Sequence, residues 1–91
     1  MYNQAQLNFL ADAIETENNN LGEFNGFGES NAAQISGSRL GVALLRKGEK
    51  VSKSVASESE TDMYESIVYL LNHLDQESDL MDCYDVPADL T

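Results

Sequence analysis

Ser59-Glu60-Thr61-Asp62-Met63-Tyr64-Glu65-Ser66-Ile67-Val68-Tyr69-Leu70-Leu71-Asn72-His73-Leu74-Asp75-Gln76 is the stretch that decides the fold. Met63, Ile67, Leu70, Leu71 and Leu74 recur at spacings of three and four, which places them on one face of a helix with 3.6 residues per turn. Glu58, Asp62, Glu65, Tyr69, Asn72 and Gln76 fall on the opposite face. Ser59 reads as an N-cap, with Asp62 three residues on as a weak form of the capping box. Glu60, Asp62 and Glu65 lie in the first turns, where the helix dipole favours negative charge. Asp75, Glu77 and Asp79 crowd the other end, where each carboxylate costs about 0.3–1 kcal/mol at low salt. The helix is therefore expected to fray after Leu74.

Upstream, Asn31 can cap a helix over residues 31–47 that carries Ala32, Ala33, Ile35, Leu40, Ala43 and Leu44. Arg46, Lys47 and Gly48 make a good helix end, with cations in the last turn and a glycine just beyond it. Gly37 and Gly41 would together cost about 2 kcal/mol relative to alanine, or allow close approach of a second helix. The rival reading is a hairpin, with strands at 42–45 and 51–55 around a turn at 46–49. Val51 and Val55 also continue the four-residue spacing of the main helix backwards, although Ser52, Ser54, Ser57 and Ser59 read as a linker.

The N-terminal segment reads as a helix over residues 3–17. Asn3 caps it, with Gln6 three residues on as in a capping box. Leu7, Leu10, Ala11 and Ile14 form one stripe, and Tyr2, Ala5, Phe9 and Ala13 form a second on nearly the opposite side. A helix apolar on two sides is buried on both or pairs with another chain. Tyr2 and Phe9 are thus the candidate anchors of self-association, and a homodimer is one expectation; a loop over Phe9 is the other. Residues 18–30, rich in Asn and Gly, read as a loop held to the core by Leu21, Phe24 and Phe27. Gly22, Gly26 and Gly28 match neither the phosphate loop nor the dinucleotide fingerprint.

After Asp75, acids alternate with apolar residues through Leu80, Met81, Cys83, Tyr84 and Val86, a composition that builds no core of its own. This tail is a binding segment, a strap over the core through Leu80, Met81 and Tyr84, or an inert terminus. Pro87 ends regular structure. The expected fold is all-α: one small three-helix domain over residues 1–76, with an acidic, partly disordered C-terminal tail over 77–91. The alternative is α+β with one hairpin around residues 42–55.

Ninety-one residues make one domain that buries about 60–65% of its unfolded surface. The sixteen acids and five bases give a formal net charge of −11. All five bases lie between Arg39 and Lys53; residues 1–38 carry five acids and residues 54–91 ten, with no base in either segment. Phosphates call for Lys and Arg, so neither nucleic acid nor an anionic membrane is an expected partner. A basic protein, itself nucleic-acid-binding, is the expected one. High acidity also serves plain solubility. The candidate partner-binding residues are Glu58, Asp62, Glu65, Tyr69, Asp75, Glu77, Asp79, Asp82, Tyr84 and Asp85. Tyr69 stands among carboxylates on the polar face, where a tyrosine anchors interfaces or is an ordinary surface residue.

Catalytic and metal chemistry find little to use. His73 is the sole histidine and reaches Glu77 at i+4. His73 and Cys83 have no zinc-ligand spacing, and no EF-hand loop occurs. Cys83, the sole cysteine, sits among acids, which disfavour a thiolate nucleophile. No cofactor or metal is expected, and binding rather than catalysis is the expected activity. The absence of a signal-peptide pattern and of a disulfide pair fits a cytoplasmic setting, that of a host cell if the chain is viral. In size and charge the chain resembles phage-encoded acidic anti-defence proteins, such as anti-restriction DNA mimics and some anti-CRISPR proteins. That resemblance is carried by no motif; it implies an inhibitor that covers a basic surface.

Overall fold

The computed structural model describes residues 1–22 and 29–91, and it is all-α: no strand occurs among the described residues. Helix α1 spans Gln4–Gly22, α2 Glu29–Lys47, α3 Lys53–Ala56, α4 Asp62–Asn72 and α5 Asp79–Cys83. Three long helices carry the domain, and α3 and α5 are single turns.

Helix α1 starts where the capping box places it. The Asn3 backbone N–H donates to Gln6 Oε1 at 2.9 Å, and the Gln6 N–H donates back to Asn3 Oδ1 at 2.9 Å. Two otherwise orphaned donors are thereby satisfied. Leu7, Leu10, Ala11 and Ile14 are buried, as their spacing predicts. The helix continues to Gly22, five residues past the expected end, so residues 18–22 are not loop. The expectation that Leu21, Phe24 and Phe27 anchor to the core lies outside the residues and side chains described.

Helix α2 is continuous through Gly37 and Gly41, which removes the hairpin alternative: residues 42–47 are helical and Lys53–Ala56 is a helical turn. Its buried face is Gly37, Ser38, Gly41, Val42 and Leu45, whereas Leu40 and Ala43 are exposed. The sequence stripe through Leu40 and Ala43 therefore mistook the face. The reason lies in the glycines. A Cβ on Gly41 would collide with Ile67 Cδ1, and one on Gly37 would meet Ser59 Oγ at 2.7 Å. The side without side chains lets the start of α4 and the residues before it approach closely. Gly48 ends the helix with φ +68°, a conformation that L side chains rarely adopt, and its N–H donates to Leu44 O at 3.0 Å. Gln4 Nε2 caps the same end by donating to the carbonyls of Leu45 and Arg46 at 3.0 and 3.3 Å. The start of α1 thus meets the end of α2, so the two helices are antiparallel.

Helix α4 is shorter than its pattern at both ends. Thr61, not Ser59, is the N-cap, and His73 is the C-cap; the acids beyond Leu74 keep the helix from continuing. Tyr64, Ile67, Leu70 and Leu71 are buried. Tyr64 belongs to neither predicted face, yet it is fully buried, and its hydroxyl donates to the Val55 carbonyl. That bond ties the turn of α3 to α4. Asn72, expected on the polar face, pairs with the backbone of Val51: its Oδ1 accepts from the N–H at 2.8 Å and its Nδ2 donates to the carbonyl at 3.3 Å.

Of the readings of the tail, the strap through Leu80, Met81 and Tyr84 is the one adopted, and the tail lies against the start of α1 rather than as a partly disordered appendage. Met81 is buried, and Leu80, Tyr84 and Val86 pack against the core. Gln6 Nε2 donates to the carbonyls of Pro87 and Ala88 at 3.0 and 3.2 Å, and Asn3 Nδ2 donates to Leu90 O at 2.7 Å. The two capping-box residues therefore also hold the C-terminal segment. Asp85, at φ 51°, turns the chain out of α5, and the Val86 N–H closes onto Met81 O at 3.0 Å. The helix thus ends before Pro87 is reached.

Candidate functional site

The five bases do little to neutralise this chain internally. Arg46 on α2 reaches Asp12 at 2.9 Å and Glu15 at 3.6 Å on α1. These are the only ion pairs among the described residues. The hydrogen bond from Arg46 to Asp12 holds its guanidinium above the ordinary value.

The ten acids after residue 53 are Glu58, Glu60, Asp62, Glu65, Asp75, Glu77, Asp79, Asp82, Asp85 and Asp89, and every one is exposed. Local structure explains why. Asp62 and Glu65 occupy the first turns of α4, where the dipole favours them and where the apolar stripe turns the opposite face inward. Glu58 and Glu60 lie in the linker before α4 rather than on the helix itself. Asp75 and Glu77 lie in the connection to α5, Asp79 and Asp82 on α5, and Asp85 at the turn that ends it. None has a cationic partner within the chain among the described residues. Glu58 and Glu60 also border an open groove of about 550 Å³, lined by Ser36, Gly37, Leu40, Ser59 and Thr61.

The aromatic candidates divide. Tyr69 is 56% exposed. Its ring stacks on His73, with centroids 4.0 Å apart and planes at 19°, and its hydroxyl donates to Gln76 Oε1 at 3.2 Å. The expected pair of His73 with Glu77 is not made, because α4 has ended and the ring turns back: Nδ1 donates to the Tyr69 carbonyl at 2.8 Å. Tyr84 is half-buried and serves the fold. Its hydroxyl donates to both carboxylate oxygens of Glu17 at 3.1 Å. Burial first, and then the Glu17 carboxylate, push its pKa up to about 12. Burial, with a smaller contribution from Glu58, also raises Tyr64.

Tyr2 is likewise occupied within the chain. It packs against the core, its hydroxyl accepts from the Ser78 N–H at 3.0 Å, and its own N–H donates to Leu74 O at 3.2 Å. Of the two expected self-association anchors, Phe9 alone is exposed, at 39%. Tyr2 is half-buried.

Cys83 is exposed and free. Among the described residues no three His, Cys, Asp or Glu side chains are placed to hold a metal ion, and no helix is long and apolar enough to cross a membrane. Two features escaped the sequence reading. Glu60 and Asp89 are as exposed as the acids singled out, and their place in the base-free segment was the available signal. The platform of Tyr69, His73 and Gln76 depends on where α4 ends, which side-chain spacing alone does not give. Comparison with protein-family models, with curated proteins and with solved structures found no match.

Proposed function

We propose that this chain acts by binding: its acidic surface covers a basic, nucleic-acid-binding surface of another protein and so inhibits it. The observation that carries this reading is the set of ten exposed carboxylates after residue 53, none paired with a base among the described residues. Unpaired carboxylates raise a negative potential that steers a positive partner and stands in for a phosphate backbone. An acidic chain built only for solubility has no need to keep its bases out of two whole segments. The type of activity matches the anti-restriction and anti-CRISPR proteins that the chain resembles in size and charge.

The test is capture of partners from cognate lysate on the immobilised chain, eluted by rising salt and identified by mass spectrometry. A nucleic-acid-handling protein released at moderate salt supports the reading, since screening weakens exposed charge pairs. A partner retained at high salt refutes it. Exposed Phe9 favours a second reading, a helical homo-oligomer acting as an adaptor. In that case Phe9→Asp lowers the mass in solution, and an unchanged mass refutes it.

A further inference from the structure

We infer that the Tyr69–His73 stack at the end of α4 is a receptor for one arginine side chain of the basic partner. This rests on the acidic-surface reading above and narrows it to one place and one residue type. Tyr69 is the most exposed aromatic residue among those described, at 56%, yet its ring is held in place. It lies 4.0 Å from the His73 ring at 19°, and its hydroxyl is bonded to Gln76. His73 is itself fixed by the bond from Nδ1 to the Tyr69 carbonyl; a carbonyl only accepts, so Nδ1 carries the proton. The stack and the bond favour one rotamer of this surface tyrosine before any partner arrives, which lowers the entropic cost of binding.

The surroundings select the ligand. Glu65 lies four residues before Tyr69 on the same face of α4, and Asp62 lies one turn further. Both are exposed and have no cationic partner among the described residues. A guanidinium is planar and weakly hydrated; it stacks on an aromatic face and offers a fork of donors to a carboxylate. A lysine ammonium is a compact, strongly hydrated point charge that gains less from the ring. A fixed ring with a free carboxylate one turn away fits the guanidinium. The fold provides this arrangement by stopping α4 at Asn72, which frees His73 to fold back beneath the tyrosine.

The test compares tetra-arginine with tetra-lysine, two peptides of equal charge, titrated at low salt against the full chain and followed by the ring and amide NMR resonances. The expected result is tighter binding of tetra-arginine by about two- to five-fold, the gain of an exposed cation–π contact, with the largest shifts at the rings of Tyr69 and His73. Tyr69→Ala, at an exposed position, lowers tetra-arginine binding to about the level of tetra-lysine and weakens tetra-lysine binding by less; its amide spectrum confirms that the fold is kept. Equal affinities, with shifts spread over all acidic segments, overturn the arginine receptor and leave the acidic-surface reading standing. Absence of binding by either peptide at low salt overturns both.

Discussion

Replacing Gly41 by alanine sets two opposed effects against each other. In an exposed helix interior, glycine to alanine stabilises by about 1 kcal/mol through backbone entropy alone. At Gly41 the new Cβ collides with Ile67 Cδ1, on a side chain that is itself fully buried. Overpacking of a filled core costs about 1–3 kcal/mol. The collision wins, and the expected net loss is about 1 kcal/mol, which for a domain of this size lowers Tm by about 4–8 °C. Urea unfolding followed by far-ultraviolet circular dichroism measures it, with the midpoint shifting and the slope unchanged. A second substitution isolates the cause. Ile67→Val deletes Cδ1, and the next atoms of Ile67 lie 3.5 and 3.6 Å from the added Cβ, an ordinary contact. Alone, Ile67→Val costs about 0.5–1.5 kcal/mol. Combined, the two substitutions cost less than their sum, a coupling expected between residues in contact. If Gly41→Ala matches or exceeds the wild-type stability, the close approach of α2 and α4 is refuted.

Three further outcomes are expected. Asn72→Ala breaks both bonds to the Val51 backbone and destabilises by about 1–3 kcal/mol, read by the same unfolding assay. Gln6→Ala removes half of the capping box and two of the three side-chain bonds from Asn3 and Gln6 to the tail, with a loss of about 1–2 kcal/mol; amide hydrogen exchange over residues 87–91 accelerates, whereas exchange in α4 follows only the global change. Tyr84 is neutral in the fold and its pKa is raised, so its contribution is complete below the ordinary value of 10.0 and is lost as pH climbs toward about 12. The stability advantage of the wild type over Tyr84→Phe therefore narrows across that range, as unfolding at stepped pH will show.

What could be read in advance was local. The Asn3–Gln6 box, the buried stripe of Leu7, Leu10, Ala11 and Ile14, and the Arg46-Lys47-Gly48 helix end each follow from rules that span a few residues. The buried face of α2 did not, because its determinant is the absence of side chains at Gly37 and Gly41 opposite a partner helix distant in sequence. Tyr64 escaped because a tyrosine fits either face until its hydroxyl finds an acceptor, and that acceptor is the Val55 carbonyl. The strap through Leu80, Met81 and Tyr84 was one of three readings of the tail, but its polar anchors escaped, because amides such as Asn3 and Gln6 give no sign of partners more than eighty residues away. The exposure of the acids was readable from charge segregation alone. The hydroxyl partners of Tyr2 and Tyr84 were not, since Ser78 and Glu17 are remote in sequence from the tyrosines they hold.

Whether the acidic surface displaces nucleic acid from a basic partner is decided by a competition. A protein captured on this chain is loaded with a fluorescently labelled oligonucleotide, and the anisotropy of the label is followed as the acidic chain is added at low and then at moderate salt. Stoichiometric release of the oligonucleotide is the expected result, weakened by added salt and by exchanging the carboxylates of Asp62, Glu65, Asp79 and Asp82 for amides. A stable ternary complex in which the oligonucleotide stays bound would contradict it.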